Sequence, residues 1–212
     1  MCTCQSDNEV HCRQLDNSTT QVPVGFPNGT RKLYVTNSGI NNLDNDPFSE
    51  LVHLQELHLD GNNISFFPRG VFRNLKSAHQ ITLRGNEIRT LNANFIEGLE
   101  NLQSLDLSNN QLISWHDMTF RGAANLRRLN LQNNTLTYLP GRADGLKHLL
   151  EVKLEGNNIS CSCDLYILKH YYKVRVSGTC THNNNTSTNT LDIDELTEEQ
   201  CQDGMYRIVL LT

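Results

Sequence analysis

The sequence lacks any long apolar stretch. A helix that spans a bilayer needs about 18 or more consecutive apolar residues, and no run in these 212 residues approaches that length. The opening, Met1-Cys2-Thr3-Cys4, has neither the charged segment nor the apolar segment of a secretory signal. We therefore predict no membrane contact by this chain itself.

Positive charge and catalytic motifs are also scarce. Lys and Arg total 18 against 23 Asp and Glu, a net charge of −5. Nucleic-acid-binding domains usually carry a basic face, so we predict no nucleic-acid partner. The sequence contains no nucleophile–base set, metal triad or phosphate-binding loop. We therefore predict that the chain is not an enzyme and has no catalytic residue, no cofactor and no metal.

Cysteine is absent from the middle of the chain. Three cysteines precede residue 13 and four follow residue 160, namely Cys2, Cys4, Cys12, Cys161, Cys163, Cys180 and Cys201. Small segments with little core of their own are commonly stapled by disulfides in oxidising compartments, which favours an extracellular protein. A zinc site is the competing interpretation. It fits poorly, because zinc clusters usually combine C-x2-C or H-x3-H elements.

Between the cysteines, the pattern L-x-x-L-x-L-x-x-N-x-L occurs six times. Its opening positions are separated by 24 residues four times and then by 23, and they are Thr30, Leu54, Ala78, Leu102, Leu126 and Leu149. Apolar residues two apart predict a short strand with one buried face. No coil buries its core alone, so we expect the coils to stack. The pattern identifies a leucine-rich repeat array.

Further columns complete each predicted coil. Asparagine fills the ninth pattern position in all repeats but the first, and its amide can bond the backbone of neighbouring coils. A second apolar set is expected to pack from the other side of the coil, and it comprises Leu43, Phe67, Leu91, Trp115 and Leu139. A third set does the same and comprises Phe48, Phe72, Ile96 and Phe120.

The flanking cysteines carry a more specific resemblance. Cys161-x-Cys163 with Cys180 and Cys201 resembles the C-terminal cap of extracellular leucine-rich repeat proteins such as Slit, Toll-type receptors and Nogo receptor-like proteins. Cys2, Cys4 and Cys12 resemble the last three of the four cysteines in the matching N-terminal cap. Because the first cysteine and a signal are both missing, we expect a chain truncated upstream of Met1.

The resemblance implies the disulfide pairs Cys2–Cys12, Cys161–Cys180 and Cys163–Cys201, and it leaves Cys4 for the absent partner. Within the C-terminal cap we expect a short helix capped by Asp164 and a polar loop over residues 182–190.

These observations predict an α/β solenoid, a leucine-rich repeat horseshoe. Short parallel strands form its concave face, the convex side is mostly irregular, and disulfides staple the caps. We expect the N-terminal cap at residues 1–29, six repeats at 30–160, and the C-terminal cap at 161–212.

The third, fifth and seventh pattern positions project outward from the predicted strands. Repeat by repeat they are Lys32, Tyr34, Thr36, Glu56, His58, Asp60, Gln80, Thr82, Arg84, Ser104, Asp106, Ser108, Arg128, Asn130, Gln132, Glu151, Lys153 and Glu155. Equal positions in successive coils lie about 4.8 Å apart. This spacing predicts the pairs Lys32–Glu56, Asp60–Arg84 and Arg128–Glu151, and an exposed Ser108.

This surface has two interpretations. Exposed charge pairs contribute only about 0–1 kcal/mol each and can simply keep the protein soluble. Curved solenoids also bind partners along their concave faces. On the second interpretation, the candidate ligand-binding residues are Tyr34, His58, Asp60, Arg84, Asp106 and Arg128.

N-glycosylation sequons support the secretory interpretation. They begin at Asn17, Asn28, Asn63, Asn133, Asn158, Asn184 and Asn185. None lies at an outward strand position.

Two functional classes follow. The first is a non-catalytic extracellular recognition module, secreted or part of a receptor ectodomain or adhesion protein, that binds a protein ligand or cell-surface receptor. The second is the targeting arm of a larger extracellular enzyme such as a peroxidasin-like protein. Fold alone does not decide between them.

Overall fold

The computed structural model is a solenoid in which each repeat forms one coil and successive coils stack side by side. It describes residues 2–6, 8–13, 15, 20–44, 46–93, 95–120, 123–139, 146–184 and 187–200, with the side chains at 183, 184, 187, 188 and 200 left aside. The predicted fold class is confirmed, since short parallel strands line one face and helices are few.

Short strands provide most of the regular structure. They are β1 (Cys2–Ser6), β2 (Glu9–Arg13), β3 (Lys32–Thr36), β4 (Glu56–His58), β5 (Gln80–Thr82), β6 (Thr90–Leu91), β7 (Ser104–Asp106), β8 (Ser114–Trp115), β9 (Arg128–Asn130), β10 (Glu151–Lys153), β11 (Ile159–Ser160), β12 (Arg175–Ser177), β13 (Thr179–Asn184) and β14 (Ser187–Asp192). The helical segments are α1 (Cys163–Tyr166), a π-helical turn (Ile167–Tyr171) and two 3-10 turns (Ile193–Glu195 and Glu198–Gln200).

One sheet runs the length of the solenoid in the order β1-β2-β3-β4-β5-β7-β9-β10-β12. Every neighbouring pair is parallel except β1 and β2. Equal pattern positions stand side by side, so Leu33 pairs with Leu57 and Leu57 with Ile81. Strands β2 and β12 lie outside the six predicted repeats, so the sheet extends beyond the repeats at both ends.

The core lies behind this sheet. Side chains alternate between the two faces of a strand, so Leu33 and Val35 are fully buried while Tyr34 between them is half-buried. A single cluster of buried apolar residues extends from Val10 near the N-terminus to Leu196 near the C-terminus. Both terminal segments therefore close the ends of the array's own core.

One core position differs from the prediction. The 24-residue spacing predicts Ile96 in the third apolar column, but Phe95 is the buried residue and Ile96 is half-buried. The Phe95 ring meets Phe67 and Phe72 edge-on, with centroids 4.9 and 5.8 Å apart. An aromatic side chain buries a large apolar area and gains from edge-to-face pairing, which accounts for the one-residue shift.

Buried asparagines tie each coil to the preceding one. The Asn110 side chain accepts from the Ile88 amide at 3.1 Å and donates to the carbonyls of Leu83 and Leu107 at 2.9 and 3.0 Å. Equivalent bonds are made by Asn62, Asn86, Asn134 and Asn157. The amides thus pair backbone groups that the short strands leave unpaired.

The prediction that Ser108 is exposed is wrong. Ser108 is only 4% exposed, and its amide donates to Asp106 Oδ1 at 2.8 Å. Arg84 and Gln132, at the same pattern position in the neighbouring coils, are exposed and half-buried, respectively. The position is therefore outward, and the burial of Ser108 follows from its small side chain.

Disulfides staple both ends of the array. They join Cys2 to Cys12 and Cys161 to Cys180, the pairs that the resemblance implies. Cys4 is exposed and forms no disulfide within the described residues. Cys201 lies outside the described residues, so its pairing with Cys163 stays a prediction.

The C-terminal cap differs from the prediction at two points. Ser162, rather than Asp164, is the residue that precedes the helix, and Asp164 lies in its first turn. Residues predicted as a polar loop form the antiparallel hairpin β13–β14. Threonine is frequent in this segment, and β-branched residues favour strands.

Asn110→Ala is expected to destabilise the protein by about 1–3 kcal/mol, because several buried backbone groups lose their partner. Asn125→Ala is the matched control, since Asn125 is exposed and donates a single bond to the Glu100 carbonyl at 2.8 Å. Its effect should stay within about 0.5 kcal/mol. Urea unfolding measures both, and equal free energies of unfolding would contradict the structural role of the buried amide.

Gly98 is expected to tolerate no side chain. Its φ is +90°, and an added Cβ would lie 2.3 Å from the Arg73 Cα and 2.5 Å from the Arg73 carbonyl oxygen. We expect Gly98→Ala to cost about 2–4 kcal/mol, since backbone atoms must move. Gly85, with φ +67° and no such neighbour within 3.8 Å, is the control. Gly85→Ala should cost only about 1–2 kcal/mol, and urea unfolding that ranks the two variants equally would overturn this expectation.

Candidate functional site

The outward strand positions form one continuous surface, called the concave surface below. It comprises the eighteen outward positions of the six repeats, extended by Glu9 and His11 on β2 and by Arg175 and Ser177 on β12. Within the repeats, Arg84 and Arg128 are exposed, Ser108 is buried and the rest are half-buried. Paired strands hold these side chains in fixed rows.

Three aromatic rings stack at the N-terminal end of the concave surface. His11, Tyr34 and His58 share one register position on β2, β3 and β4. Their ring centroids are 4.2 and 4.3 Å apart, with interplanar angles of 11° and 2°. Burial raises the pKa of Tyr34. The stack offers the kind of aromatic surface that is enriched in protein interfaces.

An ion pair lies beside the stack. Lys32 Nζ is 2.9 Å from Glu56 Oε1, which confirms the predicted pair, and the hydrogen bond to Glu56 raises the pKa of Lys32. Burial tends to raise the pKa of Glu56, but the hydrogen bonds and charges of Lys32 and His58 outweigh it and lower that pKa overall. Both members of the pair are therefore held in their charged forms.

Asp60 contacts the next coil without the predicted ion pair to Arg84. Its Oδ2 accepts from the Thr82 hydroxyl and its Oδ1 from the Arg84 backbone amide, each at 2.8 Å. Because that hydroxyl donates to Asp60, it accepts from His58 Nδ1, which lies 2.8 Å away. The network fixes His58 and Asp60. In the described part of the chain the Arg84 guanidinium has no ion-pair partner.

The predicted Arg128–Glu151 pair is correct in register but wrong as an ion pair. The two residues are neighbours across β9 and β10, yet the Glu151 carboxylate lies 3.7 Å from Nη1 of Arg175 on β12. Glu151 has a cation on each side in the sheet, and it pairs with the one from the C-terminal cap. Arg128 consequently makes no ion pair with any described residue.

A small pocket opens on the C-terminal half of the concave surface. It holds about 170 Å³ and is lined by residues of β7, β9 and β10, namely Ser104, Leu105, Asp106, Arg128, Leu129, Asn130, Glu151 and Lys153. Sites for drug-sized ligands span about 300–1,000 Å³. This pocket is therefore suited to a single side chain.

The six candidate residues fall into two groups. Tyr34, His58 and Asp60 belong to the N-terminal network, Asp106 and Arg128 line the pocket, and Arg84 lies between the two groups. That they contact a ligand stays a prediction. Sequence reasoning placed Thr82, Asn130 and Lys153 on this surface without naming them as candidates, and it missed His11 and Arg175. The alternation in Glu9–Cys12, which resembles that of Lys32–Val35, could have identified His11.

Four sequon asparagines are exposed and lie off the outward strand positions, namely Asn28, Asn63, Asn133 and Asn158. Asn17 and Asn185, together with the side chain of Asn184, are outside the described residues. Glycosylation of these sites stays a prediction.

No group of three or more His, Cys, Asp and Glu side chains is placed to hold a metal ion, as far as the described residues extend. None of the helices described is long and apolar enough to cross a membrane. The absence of catalytic residues, cofactor and metal stays a prediction.

Lys32→Met is expected to raise the pKa of Glu56, because it removes a hydrogen bond and a charge that lower it. A lowered carboxyl pKa stabilises the fold above the unfolded pKa of about 4.3, and this contribution is lost as the pH falls through the folded value. The melting temperatures of wild type and variant should differ slightly at pH 7 and converge below about pH 4. The control is Lys76→Met, at an exposed lysine outside the strands. A difference that does not change with pH would contradict the expectation.

Comparison with known proteins agrees with the coil geometry. The family model described as Leucine rich repeat matches residues 28–88, 53–112 and 100–159, together more than half of the chain. None of the curated proteins matches the chain. The crystal structure of the LRIM1/APL1C complex matches with a TM-score of 0.63 and 20% identity, covering 72% of this chain and 34% of that chain. The crystal structure of the APL1 leucine-rich repeat domain matches with a TM-score of 0.63 and 20% identity, covering 73% of this chain and 48% of that chain.

A TLR13–ssRNA13 complex matches with a TM-score of 0.55 and 28% identity, covering 65% of this chain and 23% of that chain. The chain thus spans less than half the length of each of these three matched chains. The likenesses at 20% identity show the fold alone. With the family model and the coil geometry in agreement, the resemblance noted in the sequence is confirmed, and this chain belongs to the leucine-rich repeat family.

Proposed function

We propose that this chain is a non-catalytic extracellular recognition module that binds a protein partner through its concave surface. The observation that carries the proposal is a row of paired strands that presents aromatic and charged groups together. Solenoids commonly bind along such extended concave surfaces. Arg84 and Arg128 are exposed there and have no ion-pair partner among the described residues, so both are free to contact a ligand.

Much of the concave surface is already ordered. The ring stack, the Lys32–Glu56 pair and the Asp60–Thr82 hydrogen bond restrict side chains that would otherwise lose rotational freedom on binding. A preorganised surface binds more tightly because less entropy is lost. We propose that these groups, with Tyr34 and His58, form the N-terminal part of the contact.

A protein partner is favoured over a nucleic acid. The matched TLR13 structure is a complex with single-stranded RNA, so RNA is the competing proposal. Phosphate backbones are bound mainly through neutralising cations. Here Asp60, Asp106 and Glu151 alternate with the cations, and the chain carries a net charge of −5. The LRIM1/APL1C structure is a complex between proteins, which is consistent with our proposal.

An extracellular location is supported by two observations. Disulfides close both ends of the array, and such bonds persist in oxidising compartments. The exposed sequons leave the outward strand positions themselves clear, and Asn133, which directly follows the outward residue Gln132, is the potential glycan nearest to the proposed contact. A targeting arm of a larger extracellular enzyme would use the same surface, and the experiment below applies to it equally.

The double variant Arg84→Ala/Arg128→Ala tests the proposal. The partner is first sought by screening the chain, secreted from cultured cells, against a panel of purified extracellular domains. The affinity for a partner found this way is then measured by surface plasmon resonance. We expect the double variant to bind at least about tenfold more weakly and to associate more slowly, with a weaker salt dependence.

The matched control is Lys76→Ala/Lys147→Ala, which makes the same charge change at exposed positions outside the strands. It should bind like wild type. Asp60 is left intact, because its two hydrogen bonds would confound folding with binding. Both double variants should keep the wild-type melting temperature. Unaltered binding by Arg84→Ala/Arg128→Ala would move the site away from the concave surface.

A further inference from the structure

We propose that the pocket between β7, β9 and β10 receives one acidic side chain, Asp or Glu, of the protein partner. The inference rests on the proposed function, since it names the group that the partner places on the concave surface. It is argued from the pocket's volume of about 170 Å³, from its floor, and from the hydrogen bonds and ion pairs that its polar lining groups make or leave unmade.

The floor of the pocket is fixed backbone. Leu105 and Leu129 pair across β7 and β9, and their side chains, each 1% exposed, belong to the core cluster behind the sheet. Because side chains alternate between the two faces of a strand, the backbone atoms of these residues face the pocket. The strands are paired, so the pocket exists before any ligand arrives.

Hydrogen bonds fix one wall of the pocket. Asp106 Oδ1 accepts from the Ser108 amide at 2.8 Å, and Oδ2 accepts from Asn130 Nδ2 at 3.1 Å. Asn130 Oδ1 in turn accepts from the Gln132 amide at 3.1 Å. These contacts hold the wall rigid and engage each of the three oxygens in one hydrogen bond.

Glu151, on the opposite wall, pairs with Arg175 and makes no ion pair with Arg128. It stands between Arg128 and Arg175 in the sheet register, and its carboxylate is 3.7 Å from the Arg175 guanidinium. The Arg128 guanidinium is thus left without an ion-pair partner among the described residues.

The donors, in contrast, are unengaged. Among the described residues, no side-chain hydrogen bond or ion pair involves Arg128, Lys153 or Ser104. A guanidinium, an ammonium group and a hydroxyl therefore face one small pocket, and all three can donate. A carboxylate matches this set, because it accepts several bonds and pairs with Arg in a bidentate, charge-assisted geometry.

The same wall residues disfavour a polyanion. A chain of phosphates would pass Asp106 and Glu151 on either side of the pocket and meet like charge. A single carboxylate can lie against the donors and brings only one negative charge beside Asp106 and Glu151. The pocket therefore predicts an acidic protein side chain.

The test uses two small probes and the folded chain. Glutamate blocked at both ends (N-acetyl, N-methylamide) supplies only the side-chain carboxylate, and blocked glutamine is its neutral match. Each is titrated into ¹⁵N-labelled protein while backbone amide shifts are followed by NMR. We expect saturable shifts at Leu105 and Leu129 with blocked glutamate, at roughly millimolar affinity for so small a ligand, and none with glutamine.

Variants assign the binding to the pocket. Arg128→Gln and Lys153→Met should each weaken blocked glutamate at least about tenfold, the loss expected for a hydrogen bond to a charged group. Lys76→Gln, at an exposed cation outside the strands, should bind blocked glutamate like wild type. Unchanged melting temperatures would show that the variants remain folded.

Several results would overturn the inference. They are no saturable shift, equal binding of glutamine, or unchanged binding by both pocket variants. N-acetylglutamine, which carries only a main-chain carboxylate, is a third probe. If it bound more tightly than blocked glutamate, the pocket would take a chain terminus and the assignment to a side chain would be wrong. Loss of partner binding in Arg84→Ala/Arg128→Ala alongside silent glutamate probes would retain the proposed function and reject only the pocket assignment.

Discussion

The structure depends on the asparagine at the turn of every coil after the first, which is buried in all but the last of them. Each such side chain bonds the backbone of its own coil and of the preceding one, as Asn110 does with Leu107 and Leu83. A coil of about 24 residues cannot enclose a core by itself. The asparagine fixes how adjacent coils stack, and this stacking puts equal pattern positions side by side across the sheet. Every feature of the concave surface follows from that alignment.

Alignment explains why the two ends of the surface differ. Where flat rings occupy one register position in three successive strands, as in His11, Tyr34 and His58, they stack. Where charges of opposite sign are adjacent, as in Lys32 and Glu56, they pair. Toward the other end, Glu151 pairs with Arg175, and Arg128 makes no ion pair with a described residue. The same backbone therefore supports a closed network at one end and an open pocket at the other.

The sequence predicted whatever the repeat period controls. The apolar columns, the asparagine bonds and the Lys32–Glu56 neighbours all follow from equal pattern positions. The errors occur at positions whose packing the repeat period does not determine. Phe95 replaces Ile96 because a larger ring can pack between coils. Ser108 is buried at an outward position because its side chain is small. The pattern of residue types does not show which of two adjacent residues packs into the core, or whether neighbouring side chains cover a small outward one.

The C-terminal cap explains why Glu151 pairs with Arg175 and not with Arg128. The caps therefore affect the concave surface as well as the stability of the array. Glu151 lies in the sixth and last repeat, so the repeat pattern gives it only one neighbour at its register position, Arg128 in the fifth repeat. Strand β12 of the C-terminal segment adds Arg175 at the next register position, and Glu151 turns toward it. At the other end β2 places His11 against Tyr34 and extends the ring stack. A segment that closes the core thus also sets the charge and shape of the surface beside it. The electrostatics of a repeat surface must therefore be derived from the array together with both caps.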